Sequence, residues 1–255
     1  MDYQKIEYVE ENGIATISLN SPKNLNAIDG TLAAELTSAF KAADASEGVR
    51  AILLNSKARV FGGGGDLGTM YKGIKAGNTD FTSEVSGVID VMKAMKQNKK
   101  PIVGAINGAA AGAGFPLALG CDYVVADTKA SFIAAFVGVG LVPDTGGVYV
   151  MSKALGDAKA RELAMTGRAV GAEEAKALGF VAEIVEPDAL AEASLKAAGR
   201  FAKGPALAYA KMKELLWEAN YSDFDSYGKD EVAAQIECMA TEDFFARVIA
   251  FIEKK

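Results

Sequence analysis

Two glycine-rich stretches stand where backbone amides could meet a developing negative charge: Phe61-Gly62-Gly63-Gly64-Gly65-Asp66 and Asn107-Gly108-Ala109-Ala110-Ala111-Gly112-Ala113-Gly114. Small residues leave N–H groups unhindered at a helix start, where the helix dipole favours negative charge. Two such donors converging on one oxygen make an oxyanion hole. The same composition also serves close packing at turns, which needs no chemistry. The first stretch lacks the GK[ST] ending of a phosphate loop, and neither gives a dinucleotide fingerprint in its proper context. Pro116 narrows the geometry of the second, because proline is tolerated only in the first turn of a helix. The helix should therefore begin close to Gly112 or Ala113, with the Ala113 N–H among its unpaired donors.

The groups that could move a proton are few. Histidine is absent from all 255 residues, which removes the Ser/His/Asp triad, the Cys/His dyad and His-ligated zinc together. A carboxylate, Lys, Tyr or Cys must do any acid–base work. Cys121 and Cys238 are too far apart in the chain for a CxxC motif, and both are expected to be buried, unreactive thiols. Asp144 lies in Pro143-Asp144-Thr145-Gly146-Gly147, a common turn sequence in which its side chain could cap a helix after Gly146. Asp66 reads mainly as the cap of the helix that follows Gly65. Glu84 is a secondary acid–base candidate on a helix expected over 81–95, where an exposed face is the commoner fate.

Strands and helices alternate around these residues, which predicts an α/β architecture. Residues 14–19 alternate like a half-buried strand, 49–54 and 101–106 read as fully buried strands, and 123–126 and 180–185 add two more. Leu32, Leu36, Phe40 and Ala43 fall at helical spacing with Asp29 as a cap. After about Glu186 only helices are expected: Leu190, Ala193, Ala197 and Phe201 form one stripe, Gly204-Pro205 opens another helix, and Thr241 starts a last one. A core unit over 1–195 and a helical region over 196–255 follow. Such a tail must pack on the core or on a second subunit. Net charge is −6 and no Lys/Arg run could track a nucleic-acid backbone, so neither nucleic acid nor an anionic membrane is an expected partner. With no membrane span and no signal-peptide core in its first ten residues, the protein is expected in the cytoplasm.

The series ISLNSPKNLNAI (17–28), VRAILL, VFGGGGDL, KPIVGAINGAAAGAGFPLALGCDYVVAD (100–127), GLVPDTGG (140–147) and MTGRAVGAEEAKALGFVAEIV resembles the crotonase superfamily of enoyl-CoA hydratases and isomerases, in order and spacing. The resemblance implies a spiral of ββα units, a C-terminal helical oligomerisation region, and a homotrimer or dimer of trimers. It implies an acyl-CoA substrate, with coenzyme A entering as part of the thioester and no metal or redox cofactor. Gly65 and Ala113 would supply the oxyanion N–H groups. Lys23, Asn24, Leu25, Ala27, Gly63, Asp66 and Leu67 would hold the CoA, and Phe132, Phe136 and Val137 the acyl group. Phe251 and Lys254 match a C-terminal region that in relatives reaches an adjacent subunit's CoA.

Hydratases of this family carry two glutamates that activate water, at the positions of Pro116 and Phe136 here. Neither can move a proton, so plain hydration is not expected. No glutamate lies between residues 85 and 161, so a shifted register cannot supply one. Some enoyl-CoA isomerases of the family use an Asp in the motif that holds Asp144, which implies a 1,3-proton shift through a dienolate held by Gly65 and Ala113. The alternatives are other thioester chemistry using Asp144, such as hydrolysis or dehalogenation, and a non-catalytic acyl-CoA-binding homologue. Dehalogenation is the weaker of these, because those relatives also use a His and a Trp, and this chain's one tryptophan is Trp217 in the helical tail.

Overall fold

The computed structural model describes residues 2–78, 80–85 and 87–254, apart from the side chains of residues 83 and 84. A hairpin opens the chain: β1 (Ile6–Glu11) runs antiparallel to β2 (Ile14–Leu19), joined at Asn12 and Gly13. Both turn residues have positive φ, 53° and 79°, the conformation that an Asn-Gly pair adopts with least strain. No strand was expected over 6–11, because the burial of β1 fades toward solvent and its sequence carries no clean alternation.

From β2 the chain winds. Helix α1 (Gly30–Ala45) leads to β3 (Ala51–Ser56), parallel to β2. Next come α2 (Leu67–Lys75), α3 (Thr82–Val85), α4 (Val88–Lys96) and β4 (Ile102–Ile106). The short β5 (Ala109–Ala111) and α5 (Gly114–Gly120) precede β6 (Tyr123–Asp127) and β7 (Ser131–Ile133). Then follow α6 (Gly147–Leu155), α7 (Asp157–Thr166), β8 (Ala169–Gly171), α8 (Ala172–Ala177) and β9 (Glu183–Val185). The chain ends in α9 (Leu190–Ala202), α10 (Ala206–Asn220), α11 (Phe224–Met239) and α12 (Glu242–Glu253). One sheet has the order β1-β2-β3-β4-β6-β9 and a second, smaller one β5-β7-β8, so each turn of the spiral leaves one strand in the large sheet and then passes the small one.

Both faces of the large sheet are covered, as a mostly parallel sheet requires. One packs against α1, α4 and α5; the other, lined by Ala51, Leu53, Val103 and Val125, packs against Ala197, Ala198 and Ala202 of α9. The expected caps are present. Asp29 Oδ1 accepts from the Leu32 N–H at 2.9 Å, Asp66 Oδ1 from Thr69 at 3.0 Å and Thr241 Oγ1 from Phe244 at 3.2 Å.

Three expectations change. The helix expected over 81–95 is two helices, α3 and α4, because Gly87 takes φ 84° and breaks the ladder. The strand expected over 180–185 shrinks to β9, and Phe180 instead packs its ring against Phe115 and Phe132. Cys238 is half-buried, whereas Cys121 is buried and its thiol is pushed up to about 12 by burial and by Asp122.

Candidate active site

The two glycine-rich stretches run side by side. Gly62 N–H donates to the Ala109 carbonyl at 3.1 Å and Ala111 N–H to the Gly62 carbonyl at 2.9 Å, a parallel bridge between Gly62 and Ala110. Only glycine permits this approach. A Cβ on Gly112 would sit 2.8 Å from the Gly64 Cα, and one on Gly114 3.0 Å from the Gly62 carbonyl oxygen. Three residues further along each stretch, the register brings Gly65 and Ala113 to the wall of one cavity. Among the described residues, neither amide donates to a backbone carbonyl. Ala113 is the N-cap of α5, so its N–H stands at the positive end of a helix, as the position of Pro116 predicts.

On the other side of the first stretch lies the loop from Lys23 to Ala27. Gly63 N–H donates to the Leu25 carbonyl at 2.9 Å and Ile28 N–H to the Gly64 carbonyl at 2.6 Å. Leu25 and Asn26 both take left-handed φ, 59° and 55°. The buried Asn26 holds them there, its Nδ2 donating to Ser56 Oγ at 2.8 Å and its Oδ1 accepting from Ser21 N–H at 2.8 Å. Lys23 is exposed, Asn24 and Leu25 are half-buried and Ala27 is buried. The structure thus gathers the expected CoA-binding loop and the expected oxyanion donors at one edge.

The cavity has a volume of about 290 Å³. Gly63, Gly65 and Ala113 form its polar edge, and Leu67, Met70, Val88, Phe136 and Leu141 are among its apolar walls. Among the described residues, Asp144 is the one ionisable side chain in that lining. Of the residues expected around the acyl group, Phe136 faces the cavity; Phe132 lies behind it in the core, and Val137 is exposed and packs near Gly167. Phe251 of α12 lines this same subunit's cavity. The side chain of Glu84 lies outside the described residues.

Asp144 does not cap α6; the N-cap is Gly146, with no side chain bonded to it. Its Oδ1 accepts from the Thr145 hydroxyl and its Oδ2 from Gln235 Nε2, each at 3.0 Å. Burial among apolar neighbours pushes the carboxyl up to about 6, against the two hydrogen bonds that favour the charged form. At the two positions that carry glutamates in hydratases, Phe136 offers the cavity an aromatic face and Pro116 abuts the backbone at Gly147.

Sequence reasoning expected only helices in this part of the chain but gave α11 no side chain at the site. Its Gln235 and Glu231 are buried, and Glu231 is raised to about 7, first by burial and also by the nearby Asp144, with the Gly146 N–H opposing. The available signal was a helix whose inward positions are partly polar.

Residues 9–255 match the model of the enoyl-CoA hydratase/isomerase family. The fold and the match agree, and the chain belongs to that family. A trans-2-decenoyl-[acyl-carrier-protein] isomerase of Streptococcus mutans is 33% identical, with 100% of this chain and 97% of that protein covered. A probable enoyl-CoA hydratase of Rhodobacter capsulatus is 35% identical over the same shares of the two chains. The crystal structure of an enoyl-CoA hydratase/isomerase from Pseudoalteromonas atlantica superimposes with a TM-score of 0.87 at 31% identity, covering 99% of this chain and 98% of that one. The fold is the crotonase-like spiral with a helical C-terminal region.

Proposed function

We propose that this enzyme moves the double bond of an unsaturated acyl thioester by a 1,3-proton shift. The carboxylate of Asp144 removes a C2 proton from a 3-enoyl thioester. The C–H electron pair and the C3–C4 π pair delocalise into a dienolate, whose oxygen takes hydrogen bonds from the Gly65 and Ala113 N–H groups. The same carboxyl returns the proton at C4, leaving the double bond at C2–C3. One base suffices, because the proton stays on it between the two half-steps.

A single observation carries this reading: one carboxyl, raised toward neutrality, lines an apolar cavity whose edge holds the two N–H donors. A base with this affinity for protons is matched to abstraction at neutral pH. Phe136 and Pro116 offer nothing that could orient and deprotonate a water, which disfavours hydration. The Streptococcus mutans relative, an isomerase by name, points the same way. We take coenzyme A as the carrier, held by the loop of Lys23, Asn24, Leu25 and Ala27 with Gly63, Asp66 and Leu67. That relative is named for an acyl-carrier protein, and a carrier protein presents its thioester on the same pantetheine arm.

The assembly we propose is a homotrimer or a dimer of trimers. Leu207, Leu215 and Leu216 of α10 are 74%, 70% and 57% exposed, an apolar face that a neighbouring subunit would cover.

Conversion of 3-hexenoyl-CoA and of 2-butenoyl-CoA by wild type and Asp144→Asn, with product chromatography, tests the chemistry. The expected result is isomerisation by wild type, a loss of at least about 10³-fold in the variant, and no hydration of the 2-enoyl ester. Hydration, or tight thioester binding without turnover, overturns it.

A further inference from the structure

Helix α11 turns a polar face toward the loop that carries Asp144. Its buried residues are Phe224, Gly228, Glu231, Gln235 and Met239, so an acid and an amide occupy two central inward positions where apolar side chains are the usual occupants. Each of their acceptor oxygens has a partner, and each side chain reaches the loop. Val142 N–H donates to Gln235 Oε1 at 3.2 Å, and Gln235 Nε2 donates to Asp144 Oδ2 at 3.0 Å. One turn earlier, Glu231 Oε1 accepts from the Gly146 N–H at 2.9 Å and its Oε2 from the Tyr227 hydroxyl at 2.9 Å. The helix thus grips residues 142, 144 and 146.

The loop needs that grip. Between the held residues, Thr145 takes φ 61°, a left-handed conformation that strains a β-branched residue and persists only where surroundings over-determine it.

The orientation of the Gln235 amide follows from its partners. A backbone N–H can only donate, so the atom facing Val142 is the oxygen, and the NH₂ must face Asp144. An NH₂ can only donate in turn, so it always addresses Oδ2 as an acceptor. We infer that Gln235 is a positioning residue for the proton transfer: it holds the Asp144 carboxyl in place as a proton acceptor open to the cavity, while Glu231 secures the same loop. This inference rests on the reading of Asp144 as the base. Among the described residues, the titratable groups facing Asp144 are Glu231 and, beyond it, Tyr227, both on α11.

Gln235→Met, close in length but without a donor, tests it, with Gln235→Leu as a second apolar variant. The readouts are the pH profiles of kcat and KM with 3-hexenoyl-CoA and, without substrate, a carbon-13 NMR titration of labelled aspartate carboxyls assigned through Asp144→Asn. Losing the donor removes a hydrogen bond that favours the charged form. The acid limb of kcat/KM and the Asp144 titration should both move up by about one pH unit. Activity near pH 6 should fall about fivefold, approaching tenfold at lower pH, with KM little changed, and return by pH 8 to 9. An unmoved titration in folded variants overturns the inference, as does a loss equal at every pH that tracks a lowered melting temperature. If wild type isomerises no enoyl thioester, the functional reading fails, while the NMR titration still decides whether Gln235 acts on Asp144.

Discussion

At the scale of single residues, the cost of the site is concentrated in Asp144. Its folded value of about 6 lies above the ordinary 3.8, so folding favours the protonated acid. The sign follows by linkage: the stability associated with the neutral acid is present below about pH 4 and is lost as pH rises through about 6. A rise of about two units corresponds to roughly 3 kcal/mol at pH 8. Asp144→Asn should therefore melt higher than wild type at pH 8, and by about a third of that difference at pH 4.5, while being inactive at both. Calorimetry across that range is the check, and equal melting temperatures at pH 8 would show that the charge is not held at a cost. Glu231, raised to about 7, adds a second slope of the same sign. The place of Asp144 at the cavity was legible in the sequence, because the absence of histidine leaves carboxylates, Lys, Tyr and Cys as the candidates and PDTGG matched a family motif. Its partners were not legible. Gln235 is separated from it by 91 residues, and nothing local to an amide in a helix says which loop it meets.

At the scale of elements, catalytic geometry depends on how closely β5 and the strand-like segment at Gly62 approach. Gly112 takes φ 52°, and a Cβ there would meet the Gly64 Cα at 2.8 Å. Gly112→Ala should push the two stretches apart and move the Ala113 N–H away from that of Gly65. Losing one oxyanion donor typically costs 10² to 10³ in kcat, so a fall of about 10²-fold is expected in turnover of 3-hexenoyl-CoA. Stability should drop by about 1–3 kcal/mol in urea. A variant with full activity would mean that these amides do not act together. The large-sheet strands from β2 to β6 and the caps at Asp29, Asp66 and Thr241 were readable, because period and capping are local physics. The small sheet was not: β5, β7 and β8 have three residues each, too few to show a period. Gly87 was passed over for a related reason, since the apolar spacing continues on both sides of it while the backbone turns left-handed.

At the scale of the whole molecule, the same chain must both close its site and meet its neighbours. Helix α12 lies against α2, with Glu253 bonded to Tyr71 and paired with Lys75, so its Phe251 closes the subunit's own cavity. Helix α10 turns Leu207, Met212, Leu215 and Leu216 outward; its one buried residue is Lys213, paired with Asp122. Sedimentation should find a trimer or a hexamer. Replacing Leu215 and Leu216 by Glu should shift it to monomers at micromolar concentration, because charges would be stranded in a dry interface. A wild type that sediments as a monomer would leave the apolar face of α10 without that explanation. None of the helices among the described residues is long and apolar enough to cross a membrane.

The grip of α11 on the Asp144 loop also sets an order of events during synthesis. A ribosome adding about 5–20 residues per second makes Gln235 some 5–20 seconds after Asp144. In that interval the two amides proposed for the oxyanion, both encoded earlier, can already be brought together through β5, but the proposed base has no helix to hold it. The proposed proton carrier and the last walls of its cavity, Met239 and Phe251, are thus completed together at the very end of the nascent chain, and an unfinished polypeptide offers a thioester neither a closed place to bind nor a held base.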